Sequence, residues 1–242
     1  MVLTYREYLP PADLLGAVAY LWERLGTAGD HLIVPDGCID LIWLAGRELV
    51  IAGPDTGPRT VSLPERLRSS GLRLRTGAAG AFLDRPASGL LNCQASAEHV
   101  FGPDAGRLAD RLAAACAPKR LRLLAEIART RQVTSDSVVV AAASRLASPG
   151  ARVSGLAADI GISERQLHRR TLAAVGYAPK VLARVLRLRR LTRVAGPTLV
   201  DRALAAGYAS QAHMCDEVRA LTGLTASQYL VRFVEDAMPA GH

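Results

Sequence analysis

The sequence predicts an α+β chain: a small N-terminal β-barrel or sandwich with flanking helices, then an all-α domain in which two helix–turn–helix units are joined by a long helix. Three observations predict it. Short β-branched and aromatic runs alternate with Gly/Pro turns up to about residue 76. Beyond residue 104 the apolar residues recur every three to four positions instead. A helix–glycine–hydrophobe–serine–helix pattern then occurs twice, at Gly161 to Ser163 and at Gly207 to Ser210.

The elements follow in order. Leu9-Pro10-Pro11 is a stiff lead-in to a short helix over 12–18, and 19–25 either extends that helix or switches to a strand. Strands are expected at 31–34, 38–44, 48–52, 59–63 and 72–76. Pro35-Asp36-Gly37, Ala45-Gly46-Arg47 and the 53–58 segment supply turns. Leu72-Arg73-Leu74-Arg75 alternates strictly and calls for one buried and one wet face. Residues 104–117 read as a helix with Leu108, Leu112 and Ala115 on one face; Pro118 breaks it, and 121–128 resumes. These helices either dimerise or link to the next domain, or pack on their own barrel. The expected division is 1–117 β-rich domain, 118–134 helical linker and 135–242 helical domain.

Half of the 242 residues are hydrophobic, enough for real cores, yet no apolar run approaches the roughly 20 residues of a membrane span. The first residues carry no apolar signal-peptide core, so a cytoplasmic, membrane-free protein is expected. The net charge is +8, carried by 28 Arg and only two Lys, a bias typical of GC-rich coding. Its distribution is informative: −2 over 1–117, +4 over 118–135 and +6 over 136–242. The positive half is the one with the repeated helical pattern, as phosphate binding requires. Cys38, Cys93, Cys116 and Cys215 lie far apart and read as reduced residues, mostly buried. The histidines show no ligand spacing, so no metal and no cofactor is expected, and no enzyme.

In the second half, 135–146 is a helix closed by Ser148-Pro149-Gly150. Leu156, Ala157 and Ile160 give the next helix an apolar face, Gly161 turns the chain, Ile162 plugs the corner and Ser163 caps a helix over 163–174. Pro179 opens a long helix to about Val194, with Val181, Leu182, Val185 and Leu188 inward. Arg184, Arg187, Arg190 and Arg193 form a stripe on it, either solvated or facing phosphates. Leu199 to Ala206, Gly207, Tyr208, Ser210 and a helix over 211–221 repeat the pattern about 46 residues on. A closing helix starts near Thr225.

A short basic helix held by a partner fits the DNA major groove. Arg165, His168 and Arg169 point away from Leu167 and Leu172 and are the candidates for base edges; Gln166 and Arg170 suit the backbone. In the second unit the candidates are Gln211, His213 and Cys215. Asp216 either accepts from a cytosine or faces solvent, and the Asp216-Glu217 pair would repel phosphates. Ser163 and Ser210 are caps whose own N–H groups are free to reach phosphate.

LAADIGISERQLHRR, YAPKVLARVLRLRRL and ALAAGYASQAHMCDEVRALTGLTASQYL together make residues 135–232 resemble the DNA-binding domain of AraC-type transcriptional regulators. PDGCIDLIWL, LVIAGPDTGP and LRLRTGAAGAFLDRPASGLLN resemble the β-rich, cupin-like N-terminal domain of one branch of these regulators. The resemblance implies two recognition helices in successive major grooves of double-stranded DNA, an N-terminal domain that binds a small-molecule effector or dimerises, and RNA polymerase as a further partner. Two positions depart from the family pattern: Thr171 stands where an aromatic is usual, and Asp216 where a base is usual. Trp22, Asp36, Cys38, Asp40 and Trp43 are the candidates for an effector pocket; the bland alternative makes both tryptophans core and Asp36 a turn acceptor. The competing function is a thiol-reactive sensor or enzyme built on Cys38 or Cys93; a metal-dependent cupin-type enzyme lacks the His/Glu cluster it needs.

Overall fold

The computed structural model describes residues 4–235 apart from 27, 46 and 47. Residues 1–3, Gly46 and Arg47 of the expected turn, and His242 lie outside them.

Among the described residues the first half holds eight strands: β1 (Thr4–Tyr8), β2 (Val18–Leu25), β3 (Gly29–Ile33), β4 (Asp40–Leu44), β5 (Leu49–Ala52), β6 (Arg59–Leu63), β7 (Arg68–Leu74) and β8 (Gln94–Ser96). Six form an antiparallel sheet in the order β1-β2-β7-β4-β5-β8, while β3 and β6 form a separate ribbon. The arrangement is sandwich-like, and among the described residues no barrel closes. The helix expected over 12–18 is a single 3-10 turn, Ala12–Leu14, and 18–25 is strand. β2 is paired on both sides, and burial of Val18, Leu21 and Trp22 overrides local helix propensity. β1 and β8 were not expected; TYREY is too polar and QAS too short to signal strands.

One face of the sheet is the core. Leu21, Leu41, Trp43, Ile51, Leu72 and Leu74 join a cluster with the following helices. These are α1 (Ala79–Leu83), α2 (Glu98–Phe101), α3 (Asp104–Ala113) and α4 (Ala117–Thr130). Pro118 opens α4, where its missing N–H costs nothing. The segment expected as a linker therefore packs on β2 and β7, and Leu121, Leu124, Ile127 and Ala128 are buried in the first core. Three of its five basic residues, Arg120, Arg129 and Arg131, are engaged within the fold. Arg120 donates to the carbonyls of Leu112 (3.0 Å) and Ala115 (2.7 Å) and lies 4.0 Å over the Trp43 ring.

The second half is helical: α5 (Ser137–Leu146), α6 (Leu156–Asp159), α7 (Glu164–Val175), α8 (Pro179–Leu191), α9 (Leu199–Ala206), α10 (Gln211–Thr222) and α11 (Ala226–Glu235). One core gathers Leu156, Leu167, Val175, Leu182 and Val185; a second gathers Leu188, Leu191, Met214, Val218 and Leu221. α8 runs through both. The first half docks on this pair: α7 packs on α1 and on the 3-10 turn Ala87–Leu90, and Val34 packs on the second core. Among the described residues no helix is long and apolar enough to cross a membrane.

Candidate nucleic-acid interface

The two helix–turn–helix units are built by the same local code. Gly161 and Gly207 take φ of +77° and +91°, the left-handed turn that glycine adopts without a Cβ clash. Ile162 and Tyr208 fill the corners. The Ser163 hydroxyl accepts from the Gln166 N–H (3.2 Å), while the Gln166 side-chain oxygen accepts from the Ser163 N–H (2.9 Å). This reciprocal cap makes Gln166 a structural residue and takes up the Ser163 N–H expected to reach phosphate. Ser210 accepts from the His213 N–H at 3.1 Å. α7 and α10 are each 12 residues long and end on a left-handed glycine, Gly176 and Gly223.

Counting from the caps, α7 places Arg165, His168 and Arg169 on one exposed face, and none has a hydrogen-bond or ion-pair partner among the described residues. They are free to meet DNA. The same offsets on α10 select Ala212, Cys215 and Asp216, followed by Arg219. Ala212, Asp216 and Arg219 are exposed and Cys215 is half-buried. Two second-unit candidates shift accordingly. Gln211 is exposed but precedes this face, occupying the place of Glu164. His213 is committed to the turn: its Nδ1 accepts from the Ala209 N–H at 3.3 Å and its ring stands edge-on to Tyr208. Ala212 and Arg219 escaped sequence reasoning, although aligning Ser163 with Ser210 and Gly176 with Gly223 locates both.

The seventh position after each cap is an anchor, with the charge reversed between units. Arg170, expected on the DNA backbone, grips Asp136 instead, with Nε 2.9 Å from Oδ2 and a terminal nitrogen 2.9 Å from Oδ1. Asp136 also caps α5 by accepting from the N–H groups of Val138 and Val139. Glu217, expected to repel phosphates, turns inward to α8. It accepts from Arg187 at 2.9 and 3.0 Å and from Arg184 at 3.2 Å. Arg190 donates to the Ala147 carbonyl. Three of the four arginines in the linker-helix stripe are thus tied down; Arg193 stays exposed. Thr171, small where an aromatic is usual, is fully buried and donates to the Leu167 carbonyl at 2.8 Å.

Residues 156–232 match a family model for a helix-turn-helix domain. Residues 156–232 are therefore a helix–turn–helix domain. Residues 6–96 match a second model, of a domain of unknown function. No curated protein matches the chain. Among solved structures, the chain is similar to ToxT from Vibrio cholerae O395, at 10% identity over 90% of this chain and 97% of that one, with a TM-score of 0.47. It is also similar to an apo ToxT variant from Vibrio cholerae strain SCE256, at 9% identity over 95% and 96%, with a TM-score of 0.46.

The helix–turn–helix domain rests against the turn that carries two of the residues expected to form an effector pocket, Asp36 and Cys38, through Tyr177 and Val185 beside Gly37. Asp36, Asp40 and Trp22 do converge, but around Arg73, which sequence reasoning left as an alternating strand residue. Arg73 lies 2.7 Å from Asp36 and 2.8 Å from Asp40, and donates to the Tyr20 hydroxyl at 2.7 Å. The Trp22 indole N–H donates to Asp40 at 3.0 Å. Burial pushes the Asp40 carboxyl up against the pull of Arg73, and burial likewise opposes the Arg73 charge, which the two carboxylates outweigh. Trp43 points to the opposite face, into the core under Arg120, because β4 alternates. Asp36 also accepts from the Cys38 N–H at 2.9 Å, the turn role of the bland reading. The Cys38 thiol is pushed up to about 12 by burial and then by Asp36, the reverse of what a reactive thiolate needs. Among the described residues no group of His, Cys, Asp and Glu is arranged to hold a metal ion.

Proposed function

We propose that the chain is a sequence-specific, DNA-binding transcription regulator in which α7 leads the readout and the β-rich half is the sensor. One observation carries this reading: Arg165, His168 and Arg169 share an exposed, unpaired face of a doubly capped helix, while Arg170 of the same helix is tied to Asp136, and Arg184 and Arg187 of α8 are tied to Glu217. Each free guanidinium can give two parallel donors to a guanine edge. On α10 the equivalent face is Ala212, Cys215 and Asp216, with Arg219 beyond. Ala212 offers only an apolar contact to a thymine methyl, and Asp216 accepts rather than donates, so the second unit adds less affinity than the first. The further partners under this reading are RNA polymerase, a small-molecule effector and a second copy of the chain.

Selection of bound sequences from random duplexes, followed by titration of the selected site, tests the proposal. Arg165→Ala and Arg169→Ala should each weaken binding by about 1–3 kcal/mol and relax specificity at one position. Undiminished binding by both variants would show that α7 does not read the site.

A further inference from the structure

We propose that the cleft between α3 and α4 is a binding site for a small anionic amphiphile, a molecule with one carboxylate or sulfonate head and an apolar body. The cleft encloses about 410 Å³, within the range of small-molecule sites. Its wall is apolar: Leu108 and Leu112 from α3, Leu123 and Ile127 from α4, and Phe101 from α2. The polar lining holds three guanidinium groups, Arg107, Arg111 and Arg131, with Thr130 and two carboxylates, Asp104 and Glu126, which pair with Arg107 and Arg111 and leave Arg131 over.

Arg131, at the end of α4, is held in place and left unsatisfied at the same time. Its Nε donates to the Phe82 carbonyl, and its guanidinium carbon lies 5.1 Å from the Phe101 ring centroid and 5.9 Å from that of Phe82. Its two terminal nitrogens have no hydrogen-bond or ion-pair partner among the described residues. A guanidinium fixed at its inner edge and free at its outer one is a pre-ordered fork for a planar anion. The opposite rim is loosely held. Arg111 reaches Glu126 only at 3.7 Å, with both side chains more than half exposed, so that pair gives little resistance to an entering anion. A neutral amphiphile would fill the apolar wall and leave the fork unused. This deepens the sensor reading above, and it places the head group five residues before Asp136, the clamp on Arg170 of the recognition helix.

The site is tested without DNA, so its failure is separable from failure of the DNA reading. Binding of 1-anilinonaphthalene-8-sulfonate to the full chain is followed by fluorescence and competed with decanoate or decanol. Decanoate should displace the probe at least tenfold more effectively than decanol. Arg131→Gln should weaken decanoate about tenfold and leave decanol unchanged, as loss of one charge-assisted contact implies. Leu108→Trp, which fills the cleft and leaves the Phe82 contact intact, should abolish probe binding, whereas Arg145→Gln on α5 should not. Equal competition by decanol, or probe binding retained in Leu108→Trp, overturns the proposal. So does a chain that sediments as a dimer, ignores decanoate and becomes monomeric in Leu108→Trp, because the cleft is then a subunit interface.

Discussion

Removal of the Glu217 side chain separates two accounts of the second unit. Read from sequence, Glu217 is an acid beside DNA, and its loss should strengthen binding. In the structure it is the tie between α10 and the linker helix. Its carboxylate is only 13% exposed and accepts charge-assisted bonds from Arg187 and Arg184. Each such bond contributes about 1.5–3 kcal/mol net, and stranding one member of a buried ion pair costs about 3–5 kcal/mol. Arg184 and Arg187 remain 36% and 19% exposed, so water partly rescues both guanidinium groups. Glu217→Ala should therefore cost about 2–3 kcal/mol, a loss of about 5–10 °C in Tm for a chain of this length. Glu217→Gln keeps the shape and should cost about half as much. Urea unfolding followed by circular dichroism measures the loss directly. An unchanged midpoint in Glu217→Ala would refute the bridge and return Glu217 to the DNA-facing surface.

Three further outcomes are expected. Asp136→Ala removes the cap of α5 and the partner of Arg170 together, and should lower stability by about 2–4 kcal/mol; Asp136→Ser, which restores only the cap, should recover about 1 kcal/mol of it in the same urea assay. A methyl on Gly71 would overlap the Trp22 indole that lies across it, so Gly71→Ala should cost about 1–3 kcal/mol and change the tryptophan emission. With its pKa raised to about 12, Cys38 holds almost no thiolate at pH 8 and should resist iodoacetamide in the folded protein while the exposed Cys116 is labelled. Peptide mass mapping reads this, and labelling of Cys38 as fast as Cys116 would revive the thiol-sensor reading.

What was legible in the sequence is what short-range chemistry decides. The positive φ at Gly161 and Gly207, the caps at Ser163 and Ser210 and the three-to-four spacing of α8 each act within a few residues, and the tandem units follow from them. Side chains that reach across the fold were not legible. Arg73 meets Asp40 across 33 residues, Arg170 meets Asp136 across 34 and Arg187 meets Glu217 across 30, and in sequence each is one more surface arginine. The same reach explains the reading of 118–134 as a linker, since nothing local distinguishes Arg120 over Trp43 from an arginine facing phosphate. The β2 segment failed differently. AYLWERL suits either structure, and only pairing with β1 and β7 decides between them.

The contacts between the halves bear on how the two units cooperate. α8 alone would set the spacing of α7 and α10, since it contributes Leu182 and Val185 to one core and Leu188 and Leu191 to the other. The β-rich half adds a second tie, because it touches both units. Gly80 of α1 approaches so closely that a methyl there would lie 2.7 Å from the Ala173 carbonyl oxygen of α7. At the other unit, Pro58 lies beside Gly223 at the end of α10, and Val34 packs on the second core. Between them, a methyl on Gly37 would stand 3.2 Å from the buried Tyr177 hydroxyl and 3.7 Å from Val185 of α8. Asp36, next to Gly37, is held by Arg73, so the turn that meets Tyr177 is fixed to the sheet through the same ion pairs that fill its outer face. Under the proposed reading α7 and α10 are recognition helices, and two such helices must match one spacing on DNA to bind together. Their spacing here is set by a helix and by a second domain, and displacement of the Asp36–Cys38 turn changes the surroundings of Tyr177, where α7 gives way to α8.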